Sequence, residues 1–230
     1  MIVFGKNVFK EVISNDVKIK KIYLSNNFND EEIINCIKSN NIDVIYLDKN
    51  AMDKKYKGNH QGIVLDIEDY KYHNIEEAYD SNFIVMLDHL EDPHNFGAII
   101  RTCEAAGVDF IIIPKDRSVQ INSTVMKVSA GALNNMKIIE VNNLGSAIDK
   151  LKDNGFWIYA ADMDGENYSD IKYDSKTVLI IGNEGSGISK LISKKSDFII
   201  SIPMIGKINS LNASVAAGIA IYEVVRQRGK

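Results

Sequence analysis

The sequence is poor in the residues that build metal centres, disulfide frameworks and membrane spans. Its 230 residues include two cysteines and four histidines. Cys36 and Cys103 lie in segments with helical spacing and share no metal-ligand spacing with the histidines, so we expect reduced core thiols and no metal site. No early apolar run is long enough to cross a membrane or is flanked like a signal peptide. We therefore expect a soluble, cytoplasmic protein.

An excess of positive charge is also missing. The chain has 27 lysines and arginines against 31 aspartates and glutamates, a net charge of −4. Proteins that coat nucleic acid usually carry a strongly basic face, so any RNA site here must be a local patch. A run of charges is most often only a solvated face. The basic residues that cluster are Lys54, Lys55 and Lys57 in the first part of the chain, and Lys115, Arg117 and Lys127 in the second.

Length and pattern indicate two domains. With 45% apolar residues the chain can bury a substantial core. Short helix and strand signals alternate up to Ile67, and the following stretch, 68–82, is polar and acidic without a firm period. We take 68–82 as a linker and predict domains at 1–75 and 76–230. The predicted elements before the linker are helices at Asn7–Ile13 and Asp30–Lys38 and strands at Lys20–Leu24, Val44–Leu47 and Gly62–Ile67.

Beyond the linker, strand and helix signals alternate more regularly. Apolar runs such as Phe-Ile-Val-Met-Leu and Val-Leu-Ile-Ile are continuous, which is typical of parallel strands covered on both faces by helices. The pattern predicts an α/β domain, whose ligands bind beyond the carboxyl ends of the strands. The predicted strands are 83–89, 109–113, 137–140, 156–161, 178–182 and 198–202, and the predicted helices are 95–106, 121–130, 143–153, 187–193 and 210–226.

The glycines do not have the spacing of a dinucleotide site. Such a site needs Gly-x-Gly-x-x-Gly at the first strand-to-helix turn of the domain. Here that turn has the single Gly97, and the glycine cluster comes late, at 182, 185 and 187. Glycines and small polar residues at strand ends still leave the backbone accessible to a ligand. The pattern disfavours a phosphate cradle and favours another kind of ligand.

Three motifs resemble the signature motifs of the SpoU/TrmH-type RNA ribose 2′-O-methyltransferases of the SPOUT superfamily. They are Asp92–Arg101, Ile181–Gly187 and Ile202–Ala217. The resemblance covers the whole chain and is closest to the branch that methylates a guanosine of large-subunit ribosomal RNA. Its further matches are Asn7 and Val8, His60-Gln61-Gly62, Ile113 to Ser118, and the late Val-Arg-Gln-Arg.

The resemblance implies a fold, a cofactor and partners. It implies a small ribosomal-protein-like α/β domain that holds RNA, followed by a SPOUT α/β domain with a C-terminal trefoil knot. The implied cofactor is S-adenosylmethionine, which carries no phosphate, and the implied assembly is a homodimer through the small-residue face of the last helix. No metal is needed. A transfer-RNA methyltransferase with the same motifs and a non-catalytic ribosomal-RNA binding factor remain alternatives.

Each candidate site residue also has an ordinary structural interpretation. Asn95 is expected in the first turn of a helix, and on base rates such an asparagine is a helix cap and an arginine such as Arg101 is a surface charge. Glu184 can favour the dipole of a helix that begins near Gly187, and Ser210 can cap the last helix. By resemblance, the catalytic residues are Asn95, Arg101, Glu184, Ser210 and Asn212, the cofactor-binding residues are Gly182, Ile202, Met204, Ser210 and Leu211, and the RNA-binding residues are Lys115, Arg117 and Asn122.

Overall fold

The computed structural model describes residues 1–14 and 17–229. The chain forms two compact units. The first combines Met1–Lys71 with the later segment Ile121–Gly131, and the second combines Tyr72–Gln120 with the chain from Ala132 onward. The segment 121–131, which sequence reasoning grouped with the second domain, therefore packs with the first.

The regular elements follow the predicted alternation, with additions. The strands are β1 (Ile2–Phe4), β2 (Ile19–Ser25), β3 (Val44–Leu47), β4 (Ile63–Ile67), β5 (Phe83–Asp88), β6 (Phe110–Pro114), β7 (Lys137–Val141), β8 (Trp157–Asn167), β9 (Thr177–Gly182) and β10 (Phe198–Ser201). The helices are α1 (Lys6–Ser14), α2 (Glu31–Ser39), α3 (Lys49–Lys55), α4 (Pro93–Ala106), α5 (Ser123–Ser129), α6 (Leu144–Asp153), α7 (Lys190–Lys195) and α8 (Ala213–Gln227). Sequence reasoning did not find β1 or α3, which are too short to show a period.

The first unit is built on a four-stranded sheet of order β1-β4-β2-β3. Strand β4 is antiparallel to both its neighbours, whereas β2 and β3 are parallel. The predicted start of α2 is confirmed, because the Asp30 carboxylate accepts a hydrogen bond from Ile33 N (3.3 Å). Completely buried side chains such as Val3, Ile22 and Leu65 form the core of this unit.

His60, Gln61 and Gly62 have structural roles in the first unit. The buried His60 ring donates from Nε2 to Asp53 Oδ1 (2.7 Å), and its Nδ1 accepts from Gly62 N (3.1 Å). Gln61 Oε1 accepts from Lys6 N (2.9 Å) at the exposed start of α1. This motif therefore ties β4 to the two neighbouring helices α1 and α3.

The second unit contains a six-stranded sheet of order β10-β8-β9-β5-β6-β7 in which all pairs are parallel. Every residue of β5 and β6 is buried, as the continuous apolar runs predicted. The predicted α/β architecture is confirmed. Cys103 lies in this core, and burial raises the pKa of its thiol, as expected for an inert core cysteine.

The second half of the predicted linker is ordered structure of the second unit. His73 N donates to Ile138 O (2.8 Å) beside β7, and a short 3-10 helix follows at Ile75–Ala78. Asn74 N donates to Glu77 Oε1 (2.8 Å), and both Ile75 and Ala78 are buried. Two buried residues are too few to show a helical period in the sequence, so this segment could not be distinguished from a polar linker.

Helices α4 and α8 pack against each other and carry the first and third motifs. Asp92 caps α4 by accepting from His94 N (2.9 Å), and Gly107 ends it with a left-handed backbone (φ 70°). On α8, Ala217 and Ala220 are completely buried within the subunit. These two alanines lie inside the subunit, where α8 contacts α4 and β9, and so are not available for a subunit contact, whereas the homodimer itself stays a prediction.

The described residues include no helix that could cross a membrane. Over the same parts of the chain, no group of three or more His, Cys, Asp or Glu side chains is arranged to hold a metal ion.

Strand β8 extends further than the sequence predicted because a glycine lets it pass close to β10. The pairing of β8 with β10 shifts register between Ile199 and Ile200. A Cβ at Gly165 would lie 2.6 Å from the backbone of Ile199. Only glycine permits this approach, so the register shift depends on it.

We predict that Gly165→Ala lowers the free energy of unfolding by about 1–3 kcal/mol, the usual cost of overpacking. Gly218→Ala is the matched control. It lies inside α8, where the new methyl would sit 3.9 Å from Thr102 Cγ2, so it should raise stability by about 0.5–1 kcal/mol. Urea denaturation of the three proteins measures both changes, and equal stability of the two variants would contradict the argument.

Candidate active site

Side chains from the three motifs meet in one hydrogen-bonded cluster, which we call the Glu184–Asn95–Asn212 cluster. Asn95 Nδ2 donates to Glu184 Oε1 (2.8 Å), and Asn212 Nδ2 donates to Asn95 Oδ1 (2.9 Å). Asn95 is buried, whereas Glu184 and Asn212 are exposed. The cluster therefore forms an anchored polar surface at the meeting point of α4, the turn after β9 and the start of α8.

The direction of every hydrogen bond in the cluster is fixed. An ionised carboxylate only accepts, so the amide nitrogen of Asn95 must face Glu184 and its oxygen must face Asn212. The Asn212 oxygen in turn accepts from Ser214 N (3.0 Å) and Val215 N (3.4 Å), which caps α8. An aspartate at position 95 would instead place two carboxylates in contact.

Asn212, rather than Ser210, caps the last helix. The sequence offered Ser210 as the cap, and the helix was expected from 210, but α8 begins at Ala213. Ser210 is exposed in the preceding loop. The predicted cap is therefore wrong by two residues, and the asparagine serves both the cap and the cluster.

The turn 183–187 is closed on itself. Asn183 N and Gly187 N each donate to the other's carbonyl oxygen, at 3.0 and 2.9 Å. Asn183 Oδ1 accepts from Gly185 N (2.8 Å), and Asn183 Nδ2 donates to His89 O (2.8 Å). A Cβ at Gly182 would lie 2.6 Å from Gly187 O, so glycine is required for closure whether or not a ligand binds.

Glu184 does not lie at a helix N-terminus. The helix predicted from Gly187 begins at Lys190, after the N-cap Ser189. The interpretation of Glu184 as a charge that favours a helix dipole is therefore wrong, since the dipole effect is confined to the first turn. Its partner in the structure is Asn95.

Asp88 is a site-forming residue that sequence reasoning missed. Its carboxylate is 1% exposed at the carboxyl end of β5. Oδ2 accepts from Ser189 N (2.7 Å), and Oδ1 accepts from His89 Nδ1 (2.6 Å). A carboxylate that ends an otherwise apolar strand was the signal available in the sequence.

Arg101 is not joined to the cluster. It is exposed and lies roughly two turns beyond Asn95 along α4, on a different side of the helix. Within residues 1–14 and 17–229, no hydrogen bond or ion pair links it to Glu184, Asn95 or Asn212. Its guanidinium is therefore accessible to an incoming molecule.

The loop that precedes α8 presents its surface to solvent. Residues 203–212 are all exposed, and Ile202 before them is half-buried. Met204 and Leu211 are 39% and 37% exposed, and Ile205 is fully exposed. Apolar side chains beside an accessible backbone fit a ligand with an aromatic base and hydrogen-bonding edges.

The predicted RNA-binding residues fall in both units. Lys115 and Arg117 are exposed directly after β6, and Arg117 has a left-handed backbone (φ 52°). Asn122 lies in the first unit, where its side chain accepts from Thr124 N (2.9 Å) and Val125 N (3.0 Å). Asn122 is therefore the N-cap of α5, a structural role.

Two family models match the chain. Residues 82–222 match the SpoU rRNA Methylase family, and residues 2–73 match the domain described as RNA 2′-O ribose methyltransferase substrate binding. A putative TrmH family tRNA/rRNA methyltransferase of Staphylococcus epidermidis is 40% identical over 99% of this chain and 96% of its own length. A second such protein, YacO of Bacillus subtilis, is 36% identical over 98% of this chain and 95% of its own.

Solved structures share the fold. The SpoU methyltransferase AviRb from Streptomyces viridochromogenes, in complex with AdoMet, has a TM-score of 0.79 and 22% identity over 99% of this chain and 90% of its own. A TrmH/SpoU tRNA modifying enzyme of A. aeolicus has a TM-score of 0.60 and 34% identity over 67% of this chain and 81% of its own. The motif residues, their cluster and these matches agree, and the chain belongs to the SpoU rRNA Methylase family.

Proposed function

We propose that the protein transfers a methyl group from S-adenosylmethionine to a ribose 2′-hydroxyl of RNA. The observation that carries this proposal is the Glu184–Asn95–Asn212 cluster, because it joins all three motifs beside the exposed loop 203–212. The family matches to a methylase and to a 2′-O-ribose substrate-binding domain support the same reaction. We infer the cofactor and the reacting hydroxyl from this combination.

The residues around the loop fit the cofactor. Ile202, Met204 and Leu211 offer apolar contacts for an adenosyl group, and we assign the backbone at Gly182 and Ser210 to the same site. The fit needs no phosphate site, which agrees with the glycine spacing. When bound, S-adenosylmethionine supplies an electrophilic sulfonium methyl group.

The protein's own residues would orient the nucleophile and assist removal of its proton. The cluster keeps polar groups at fixed positions, so they need no reorganisation during reaction. A guanidinium group is in general a poor general base. We assign the rigid donor fork of Arg101 to a phosphate or the reacting ribose, where it stabilises negative charge.

We propose a guanosine of large-subunit ribosomal RNA as the substrate, with residues 1–75 as the RNA-holding domain and 76–230 as the methyltransferase domain. A trefoil knot in the C-terminal segment and a cytoplasmic location belong to the same proposal.

The whole-chain resemblance to the guanosine branch supports the ribosomal substrate. A transfer RNA is the second candidate, because similar proteins carry the double name tRNA/rRNA methyltransferase. A non-catalytic RNA-binding factor is disfavoured, since Asn95, Arg101 and Glu184 are all present.

Mapping of ribose methylation separates these candidates. RNA from a strain that lacks the gene should lose one 2′-O-methylguanosine in large-subunit ribosomal RNA, and the wild-type gene should restore it. A gene encoding Arg101→Ala is the control for a purely structural role. Loss of a methyl group from transfer RNA would select the second candidate, and no loss in either RNA would reject the proposed reaction.

The cluster predicts a compensating pair of substitutions. Asn95→Asp alone places a carboxylate against Glu184 and should weaken S-adenosylmethionine binding roughly tenfold or more, since an unsatisfied polar contact costs about 1–3 kcal/mol. Asn95→Asp with Glu184→Gln restores one donor and one acceptor and should recover most of the affinity. Calorimetric titration measures both, with NAD as a ligand that none of the proteins should bind. Equal affinities for the single and double variants would contradict the assigned hydrogen bonds.

Arg101→Ala should lower single-turnover methyl transfer by at least about 100-fold while leaving S-adenosylmethionine affinity within about twofold. The reason is that Arg101 is exposed and takes no part in the hydrogen bonds of the Glu184–Asn95–Asn212 cluster. Arg101→Lys keeps the charge without the fork and should recover only a small part of the rate. Near-normal transfer by the alanine variant would remove Arg101 from the mechanism.

We propose a homodimer through the exposed side of α8, in place of its buried alanine face. Val215 and Tyr222 are each 50% exposed on one side of this helix. Val215→Glu or Tyr222→Glu should produce monomers in analytical ultracentrifugation, because a charge replaces buried apolar contact. Met163→Glu, at another exposed apolar position, should leave the dimer intact. A wild-type monomer with full activity would exclude the dimer.

A further inference from the structure

A recess lies beside the Glu184–Asn95–Asn212 cluster, with a volume of about 540 Å³. It opens beyond the carboxyl ends of β5, β6 and β7, the edge at which α/β sheets bind ligands. Ligand pockets for small molecules usually measure about 300–1,000 Å³. We call it the β5–β7 cavity, and its size suits one nucleoside.

The β5–β7 cavity has an apolar wall and a polar rim. Leu144, Leu191 and Ile192 line the wall, and Leu191 is 54% exposed although it lies in a recess. An apolar wall of this kind is suited to the face of a base. Exposed apolar area inside a polar-rimmed recess is typical of a binding site.

The charges of the rim favour a nucleoside over a free anion. Arg117 offers a guanidinium fork for a phosphate or ribose. Glu91 and Asp116 supply carboxylates that accept hydrogen bonds from ring or amino N–H groups of a base, and they repel a bare anion. Donors and acceptors around an apolar wall match the edges and faces of a base.

The rim is held in fixed backbone conformations. His89 and Arg117 both line the cavity with left-handed backbones, at φ 58° and 52°. The buried Asp88 holds the His89 ring, and Ser118 Oγ donates to Leu90 O (3.1 Å), which joins the loops after β5 and β6. Strained backbone held by its surroundings is characteristic of functional sites.

The cavity does not include the loop 203–212, but it is lined by part of the turn 183–187, which also carries Glu184 of the cluster. Among the described residues, neither Asn95, Asn212 nor Leu211 lines it. Asn183, Ser186 and Gly187 do, and they belong to the turn whose Glu184 accepts from Asn95. A molecule in the cavity would therefore contact the turn that positions the cluster.

We propose that the β5–β7 cavity binds a second nucleoside of the RNA, one that is not methylated. This inference rests on the proposed function for the identity of the RNA substrate. In this proposal the base of that nucleoside lies against Leu191, and Arg117 contacts its phosphate or ribose. Filling the cavity would fix the RNA next to the reacting ribose.

The test is a methyl NMR titration of the full chain, labelled at Leu and Ile methyl groups, with S-adenosylhomocysteine added first. Guanosine, adenosine, cytidine and uridine 5′-monophosphates follow in separate titrations. We expect saturable shifts of the Leu144, Leu191 and Ile192 signals with at least one nucleotide, and little change at Ile202 and Leu211. Leu191→Glu should weaken this binding roughly tenfold, equivalent to about 1.4 kcal/mol. Lys194→Glu, an exposed position on the same helix, is the control and should bind within about twofold of wild type.

Several outcomes would overturn the proposal: no nucleotide shifts the wall signals, inorganic phosphate alone reproduces the shifts, or Leu191→Glu binds as wild type does. The proposed function fails separately, if S-adenosylhomocysteine does not move the Ile202 and Leu211 signals. Cavity binding without cofactor binding would thus reject the methyltransferase assignment, and cofactor binding without cavity binding would reject only the second site.

Discussion

The two hydrogen bonds of the Asn95 side chain hold the candidate active site together. One end of a buried amide donates to Glu184 and the other accepts from Asn212. Because an amide has one donating and one accepting end, it can join a carboxylate to another amide without an uncompensated charge. An aspartate of the same length could accept from Asn212 but could not donate to Glu184. The position of the turn after β9 relative to the start of α8 depends on it.

The surrounding structure supports this amide through backbone geometry. Gly182 permits the turn 183–187 to close, and Asp88 holds the other end of that turn through Ser189 N. On the opposite side, α8 packs against α4, so the helix that supplies Asn95 and the helix capped by Asn212 form one support. The exposed groups, Arg101 and the loop 203–212, are left to contact other molecules.

Sequence reasoning found the architecture because the signals are long and repeated. The continuous apolar runs of β5, β6 and β9 and the Asp-Pro start of α4 are strong local patterns.

Prediction from the sequence failed where three-dimensional contacts decide between local alternatives. Both Ser210 and Asn212 are good caps, and only the partner Asn95 selects the asparagine. Likewise, small residues on α8 indicate close packing, but the sequence does not say whether the neighbour is α4 or a second subunit. The role of Asp88 depends on Ser189, which lies far along the chain.

The separation of the cluster's partners along the chain has a consequence for biosynthesis. Asn95 lies 89 residues before Glu184 and 117 before Asn212. A growing polypeptide emerges N-terminus first and folds in that order, at about 5–20 residues per second. Asn95 and most of the sheet are therefore synthesised well before α8 can pack against α4. The cluster therefore cannot form until Asn212 has left the ribosome, and methyl transfer that depends on it cannot begin before then.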